Sequence, residues 1–315
     1  MSIASTARQP GITAGFAPLR ALIAARLQVL LPGEEEAPRR LHGAMHHALI
    51  GPGKRLRPML TLLAAHRCGG DEAAALDAGC AVEMVHTASL VLDDLPCMDN
   101  ATLRRGRPAT HRAFGEDTAI LSAIGLLNQA YGVMATLPDV PEALCLRLVR
   151  LLVQAVGSRG LVGGQECDLH PDTVEADAAA LEMLHHQKTG VLFAVALEAG
   201  SLLSNAPEEE VAALRRFGRH LGLAFQTLDD VLDATATVEA VGKDVRQDGG
   251  KPNLVSLFGL EGAQLRVQEH LRLARRELVW PHRPGCMLEA LLDEIVLALP
   301  LPAGSALSGQ GQQPG

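Results

Sequence analysis

Aromatic residues are scarce in this chain: one Trp, one Tyr and six Phe, 3% of 315 residues. Runs of β-branched residues are equally thin, while the helix formers Ala, Leu, Arg and Glu are abundant. That balance argues against a sheet and for an all-α fold. Cysteine is also limited. Cys68, Cys80, Cys97, Cys145, Cys167 and Cys286 form no Cys-x-x-Cys pair, which argues against a zinc site or a disulfide framework and fits a reducing, cytoplasmic setting. There is no basic excess. A formal net charge of −8 speaks against nucleic-acid binding through a broad basic face. No uninterrupted apolar run approaches the ~20 residues of a membrane span, and the amino end lacks a basic start followed by an apolar stretch. Lysine is the last shortage: of 28 Lys and Arg, only Lys54, Lys188, Lys243 and Lys251 are lysines. All four stand in short Gly- or Asp-rich contexts, where a compact point charge suits phosphate.

A hydrophobic content of 48% is enough for one large core. Residues 1–16 read as a flexible N-terminal arm, 17–299 as a single catalytic domain and 300–315 as a disordered, low-complexity tail. Apolar periodicity, caps and breakers predict helices over 18–31, 38–49, 58–66, 72–92, 117–135, 141–157, 177–204, 208–232, 254–278 and 287–299. Gly163-Gly164 interrupts the pattern, with Gln165 and Asp168 on one face beyond it. Residues 238–253 read as a Gly/Asp/Lys-rich loop. Gly51-Pro52-Gly53-Lys54-Arg55-Leu56-Arg57 is a basic corner. It lacks both the spacing and the preceding strand of a nucleotide P-loop.

The chemistry concentrates at the end of the helix over 72–92. An apolar run there ends in Asp93-Asp94, Pro96 turns the backbone, and Asp99 follows. Three carboxylates so close repel unless hard divalent cations sit between them, and all-oxygen ligands suit Mg²⁺ bridging to phosphate. Arg104-Arg105-Gly106-Arg107 comes next, so metal-binding carboxylates are followed by phosphate-binding guanidinium groups. A second acidic cluster stands on the helix over 208–232. Asp229 and Asp233 share a face, with Asp230 beside them. One such cluster is commonly a solvated face; two on apolar helices, each followed by a cationic Gly-containing turn, point to a metal–diphosphate cleft. His86 lies two turns before Asp93 on the same face. His46, His47, His185 and His186 show no metal-ligand spacing and read as structural or surface residues, and Met84 and Met98 as core.

Taken together these motifs resemble those of the trans-isoprenyl diphosphate synthases, nearest the bacterial geranylgeranyl diphosphate synthases of the carotenoid-pathway type. The resemblance rests on Gly53-Lys54-Arg55-Leu56-Arg57-Pro58, Glu83-Met84-Val85-His86, Asp93-Asp94-Leu95-Pro96-Cys97-Met98-Asp99, Arg104-Arg105-Gly106, Gly164-Gln165, Lys188-Thr189, Phe225-Gln226-x-x-Asp229-Asp230-x-x-Asp233 and Gly242-Lys243-Asp244. It implies an isoprenoid-synthase fold, with helices around a central cavity and the two Asp-rich motifs facing each other, in a homodimer. The implied reaction joins isopentenyl diphosphate head to tail to an allylic diphosphate. Asp93, Asp94, Asp99, Asp229 and Asp233 would hold roughly two or three Mg²⁺ ions. Arg104, Lys188, Thr189, Gln226 and Lys243 would meet the allylic diphosphate, with Asp230 among the catalytic residues. Lys54, Arg57, His86 and Arg105 would meet isopentenyl diphosphate. Ala88 and Ser89, one turn below Asp93, are small where shorter-product relatives carry an aromatic, so a C20 product is expected.

Other readings remain: a farnesyl diphosphate synthase, a longer-chain polyprenyl synthase, a terpene cyclase or a non-catalytic regulatory subunit. Cyclases need an aromatic-lined cavity for their cations, which this composition does not favour. Regulatory subunits typically lose an aspartate motif, and both are intact here.

Overall fold

The computed structural model describes residues 16–170, 177–235, 253–279 and 287–297. The elements in order are α1 (Ala17–Leu30), α2 (Arg39–Leu49), α3 (Leu56–Cys68), α4 (Glu72–Asp93), β1 (Leu103–Arg104), β2 (Arg107–Pro108), α5 (Thr110–Phe114), α6 (Glu116–Ala135), α7 (Glu142–Val156), α8 (Leu161–Leu169) and α9 (Ala178–His185). A π-helical turn (His186–Gly190), α10 (Val191–Leu203), α11 (Glu208–Thr235), α12 (Leu254–Glu277) and α13 (Met287–Leu297) follow. The all-α expectation holds, with one antiparallel hairpin of two-residue strands.

Helix α4 is the axis of the molecule. Asp71 caps it, its carboxylate accepting from the amides of Ala73 at 2.8 Å and Ala74 at 3.4 Å. Such a cap stabilises a helix by about 1 kcal/mol. From Ala74 to Val85 every residue is buried, as expected of a helix that is apolar on almost every face. Helices α3, α6 and α10 pack around it. Small residues let them come close. A Cβ on Gly79 would lie 2.9 Å from the Pro58 Cα, and one on Gly200 of α10 would lie 2.2 Å from the Thr61 carbonyl of α3. Two acids interrupt the apolar run. Asp77 is held by Arg26 of α1 at 2.6 and 2.8 Å, and Glu83 by Arg55 at 2.8 Å. Both α4 and α6 are long and apolar enough to cross a membrane by length and composition alone. In α4 that apolarity is spent inside the fold.

Four expectations need correction. The stretch around Gly163-Gly164 does not interrupt a helix but belongs to α8. Its glycines are contacts rather than breakers, since a Cβ on Gly164 would come within 2.8 Å of the Lys188 amide nitrogen. The helix over 177–204 is divided by the π-helical turn. One extra residue there widens the coil where Gly222 of α11 meets Gly190; a Cβ on Gly222 would lie 2.4 Å from the Gly190 Cα. The hairpin and α5 were unforeseen. Phe16, assigned to the arm, is buried against the core. The rest of the arm, the tail and the loop over 238–252 lie outside the described residues; Asn253 is the N-cap of α12, in a capping box with Ser256.

Because Gly200 is closed off by backbone rather than by a yielding side chain, Gly200→Val is expected to separate α10 from α3. It should lower stability by about 3 kcal/mol, read as a shift in the urea midpoint. An unchanged midpoint would contradict this packing.

Candidate active site

The first acidic motif is shaped by the end of α4. Asp93 is the last helical residue and Asp94 the C-cap. Pro96 prevents continuation, and the chain folds back so that the Asp99 amide donates to the Asp93 carbonyl at 2.9 Å. Asp99 thus returns to the motif, as its spacing suggested. Burial pushes the Asp93 carboxyl up to about 6, with the neighbouring charges of Asp99 and Asp94 adding to the effect against Lys188 and Arg104.

Asp94 takes a different direction. Its carboxylate is 2% exposed and is clasped by Arg104, whose Nε donates at 2.9 and 3.2 Å and whose Nη2 donates as well. In this conformation the two residues neutralise each other. Asp94 is therefore not a free metal ligand here, and Arg104 is not a free diphosphate ligand. Adjacent residues on a helix project about 100° apart, and here Asp94 is the one turned to Arg104.

The second motif repeats this division. Asp229 is exposed at the surface of α11. Asp230 turns inward, its Oδ2 accepting from the Leu254 amide at 3.2 Å and lying 3.5 Å from His185 Nε2. Asp230, expected among the catalytic residues, here also accepts from the start of α12. The side chain of Asp233, together with Lys243 and Lys251, lies outside the described residues.

Lys188 and Thr189, neighbours in the π-helical turn, relate the two banks. The Lys188 ammonium is 2.6 Å from Asp168 of α8. Burial opposes its charge, yet Asp168, Asp93 and Asp99 together raise its pKa. Thr189 donates to Gln226 Oε1 at 2.6 Å, one turn before Asp229 on α11. The wide turn thus places a cation toward the first motif and a hydroxyl against the second. Asp168 was not given a role by sequence, although its position three residues after Gln165 was a signal for a polar face.

A basic bank completes the cleft. Arg57 is half-buried, its guanidinium carbon 4.8 Å from the Phe193 ring centre. Lys54 Nζ is 5.9 Å from the Phe225 ring, which packs on Phe193. Burial, reinforced by Arg105 against the opposing charges of Glu83 and Asp229, lowers Arg57 to about 10. Burial and then the surrounding Arg57, Arg105, Arg104 and Arg55 hold His86 well below its ordinary range, so it is neutral at pH 7. Phe193 is a residue the sequence reading missed; its signal is only its place on α10. Arg105 sits at the tip of the hairpin with φ 55°, followed by Gly106 at 76°. That pair of positive φ values is a type I′ turn. Ala88 is fully buried, whereas Ser89 is half-buried on the Asp93 face, its hydroxyl donating to the His86 carbonyl at 2.9 Å.

Among the described residues no three His, Cys, Asp or Glu side chains converge into a ready-made metal cage. The donors nonetheless fit Mg²⁺. They are carboxylate oxygens, one of them desolvated and short of positive charge, and Mg²⁺ commonly takes one or two carboxylates with water and substrate phosphate completing its shell.

The raised Asp93 pKa has a sign that can be checked. Between its unfolded value near 4 and about 6 the native state holds more protons, so stability falls as pH rises through that window. In chelator, Asp93→Asn is expected to be more stable than the parent at pH 7.5, by up to about 3 kcal/mol. The gap should close below pH 4. Urea denaturation at the two pH values reads this; a variant less stable at pH 7.5 would contradict the burial.

Comparison with known proteins accords with this cleft. The polyprenyl synthetase profile matches residues 38–277. A geranylgeranyl diphosphate synthase of Pantoea ananas is 45% identical over 256 residues, 80% of this chain and 83% of that protein. A farnesyl diphosphate synthase of Bacillus subtilis (strain 168) is 40% identical over 245 residues, 76% of this chain and 83% of that protein. Among solved structures, an FPP/GFPP synthase from Zymomonas mobilis superposes with TM-score 0.78 at 34% identity, covering 90% of this chain and 96% of that one. A geranyltransferase from Helicobacter pylori, solved with magnesium and isoprenyl diphosphate, gives 0.78 at 28% identity, covering 92% and 97%. The fold is thus the all-α isoprenoid-synthase fold, and the chain belongs to the polyprenyl synthetase family, as a prenyltransferase that elongates prenyl diphosphates.

Proposed function

We propose that the protein condenses isopentenyl diphosphate with farnesyl diphosphate to give geranylgeranyl diphosphate, within one catalytic domain over residues 17–299. The observation that carries this reading is the arrangement of charge, in which Asp93 and Asp99 act on Lys188 while Asp229 acts on Arg57 of a separate basic bank that also holds Lys54 and Arg105. Asp93, Asp99 and Asp229, joined by Asp233, would hold Mg²⁺. When bound, Mg²⁺ neutralises diphosphate charge and improves it as a leaving group.

The protein's own groups do the rest. Lys188, with Arg104 once released from Asp94, binds the allylic diphosphate alongside Lys243. Lys54, Arg57 and Arg105 bind the diphosphate of the second substrate, and neutral His86 can donate a hydrogen bond to it. Holding both substrates in register removes much of the entropic barrier to carbon–carbon bond formation. Thr189 donates its hydroxyl hydrogen bond to Gln226, which leaves the lone pairs of the Thr189 oxygen free to face positive charge developing on the allyl group. Because His86 sits among arginines it is a poor base, and the departing diphosphate is the better acceptor for the proton lost when the new double bond forms.

Product length depends on the level below Asp93. Ala88 belongs to the packed core, and Ser89 is the small residue with open surface on the aspartate face. The level is therefore unblocked, which supports C20. A second reading, a farnesyl diphosphate synthase, is favoured by the 40% identity to the Bacillus subtilis enzyme. Incubation with isopentenyl diphosphate, farnesyl diphosphate and Mg²⁺ should give a C20 product on chromatography. No elongation beyond C15 would favour the second reading. Asp93→Ala and Asp229→Ala should each lower turnover about a thousandfold with unchanged circular dichroism. Ser89→Phe should shift the product toward C15; an unshifted product would remove this pocket assignment.

The assembly we propose is a homodimer. Helix α6 exposes Ile120, Leu121 and Ile124 at 41%, 56% and 55%, a contiguous apolar stripe of the kind that marks an interface. The free cysteines among the described residues support a reducing, cytoplasmic setting. Leu121→Glu with Ile124→Glu should yield a monomer by analytical ultracentrifugation. A dimer that survives both charges would place the interface elsewhere.

A further inference from the structure

We infer that Glu83 is a positioning residue for the isopentenyl diphosphate cradle, acting through Arg55 and Arg105 without touching substrate. This rests on the assignment of Lys54, Arg57 and Arg105 to that diphosphate proposed above. Glu83 lies on α4 one turn before His86 and is 2% exposed. Its Oε1 accepts from Arg55 Nη1 at 2.8 Å and lies 3.9 Å from Arg105 Nη2. One buried carboxylate therefore joins the α4 axis, the Gly51–Arg57 corner and the hairpin tip.

Each side of the contact holds a backbone that would not hold itself. Arg55 has φ 52° and ψ 36° at the start of α3, and Arg105 has φ 55°. Neither is glycine, and such conformations are disfavoured for a side-chain-bearing residue. Arg55 is anchored further by donating from Nη2 to the Leu49 carbonyl at 2.5 Å and the Gly51 carbonyl at 2.7 Å. That fork stitches the end of α2 to the corner that carries Lys54 and Arg57. Arg105 lies flat against Gly53, where a Cβ would come within 2.9 Å of its Nη1. Arg55 itself is 6% exposed, so its charge cannot be turned toward a ligand while the fork holds. The cradle is thus two-layered: Lys54, Arg57 and Arg105 face the ligand, and Glu83 with Arg55 fixes where they stand.

Charge and position make opposite predictions, which is what allows a test. Removing the Glu83 charge makes the bank more positive and on that ground alone would tighten diphosphate binding. Losing the anchor would loosen it. Steady-state kinetics of the full chain with Mg²⁺, isopentenyl diphosphate and farnesyl diphosphate separate the two. Glu83→Gln is expected to raise KM for isopentenyl diphosphate at least about tenfold, with KM for farnesyl diphosphate and kcat within about threefold. Arg55→Lys keeps the charge but loses the fork, and should give the same split; it decides the matter if Glu83→Gln does not fold by thermal melting. An unchanged or lowered KM for isopentenyl diphosphate in a folded variant overturns the inference. Lys54→Ala serves as the control. If it raises that KM while Glu83→Gln and Arg55→Lys do not, only the positioning role fails. If Lys54→Ala leaves it unchanged, the cradle assignment itself fails.

Discussion

The structure depends on confining opposite charges in one cleft without letting them all cancel. Aspartates and arginines at this density would collapse into ion pairs if every one could reach a partner, and a fully paired site would bind neither cation nor diphosphate. The fold prevents that by partnering some charges internally and leaving others exposed to the opening. Asp94 is clasped by Arg104, Asp230 by the start of α12, Asp168 by Lys188 and Glu83 by Arg55. Asp93 and Arg57 are left undercompensated, and both show it: burial pushes the first up and the second down. A buried charge short of its counterion is costly, and that cost becomes affinity when a ligand of the right sign arrives.

Rigidity of α4 makes this possible. An undercompensated carboxylate at the end of a loose helix would swing into water and lose its altered pKa. Here the preceding turns are buried on all sides, with small residues allowing α3, α6 and α10 close contact. The axis therefore acts as a post. Glu83, His86, Ser89 and Asp93 follow one another along it at intervals of three or four residues, so one helix face carries a buried acid, a neutral ring, an open small residue and a desolvated carboxylate in order.

Much of this was legible before any coordinates. The cap at Asp71, the unbroken apolar run and the stop at Pro96 identify α4 and its exit without ambiguity, because caps and breakers act locally. The two aspartate motifs and the basic corner were legible from residue type and spacing. Three features were not. A π-helical turn differs from an α-helix by one residue of register, and His186–Gly190 carries no composition that signals it. The type I′ hairpin hides because its strands are two residues long, although Arg105-Gly106 is a fair turn signal. The outward or inward aim of each aspartate needs the partner's position: Leu254 reaches Asp230 from 24 residues away, a distance no local pattern spans.

The paired aspartates yield the more general lesson. Both motifs begin Asp-Asp, and sequence alone credits the two members equally. The structure separates them: adjacent side chains project about 100° apart, and the second of each pair meets a donor. In each motif the first member faces the opening and the second faces a donor behind it, a guanidinium in one case and a helix-start amide in the other. The second aspartates are thus suited to hold the walls of the cleft at a fixed separation, and the first to hold what enters it. Arg104 sits at the junction of these roles. While it clasps Asp94 it braces the wall, and a diphosphate arriving with more negative charge than one carboxylate competes for the same fork. Binding of the allylic substrate would then loosen a wall contact at the moment the cleft fills, coupling occupancy to the hairpin that also carries Arg105.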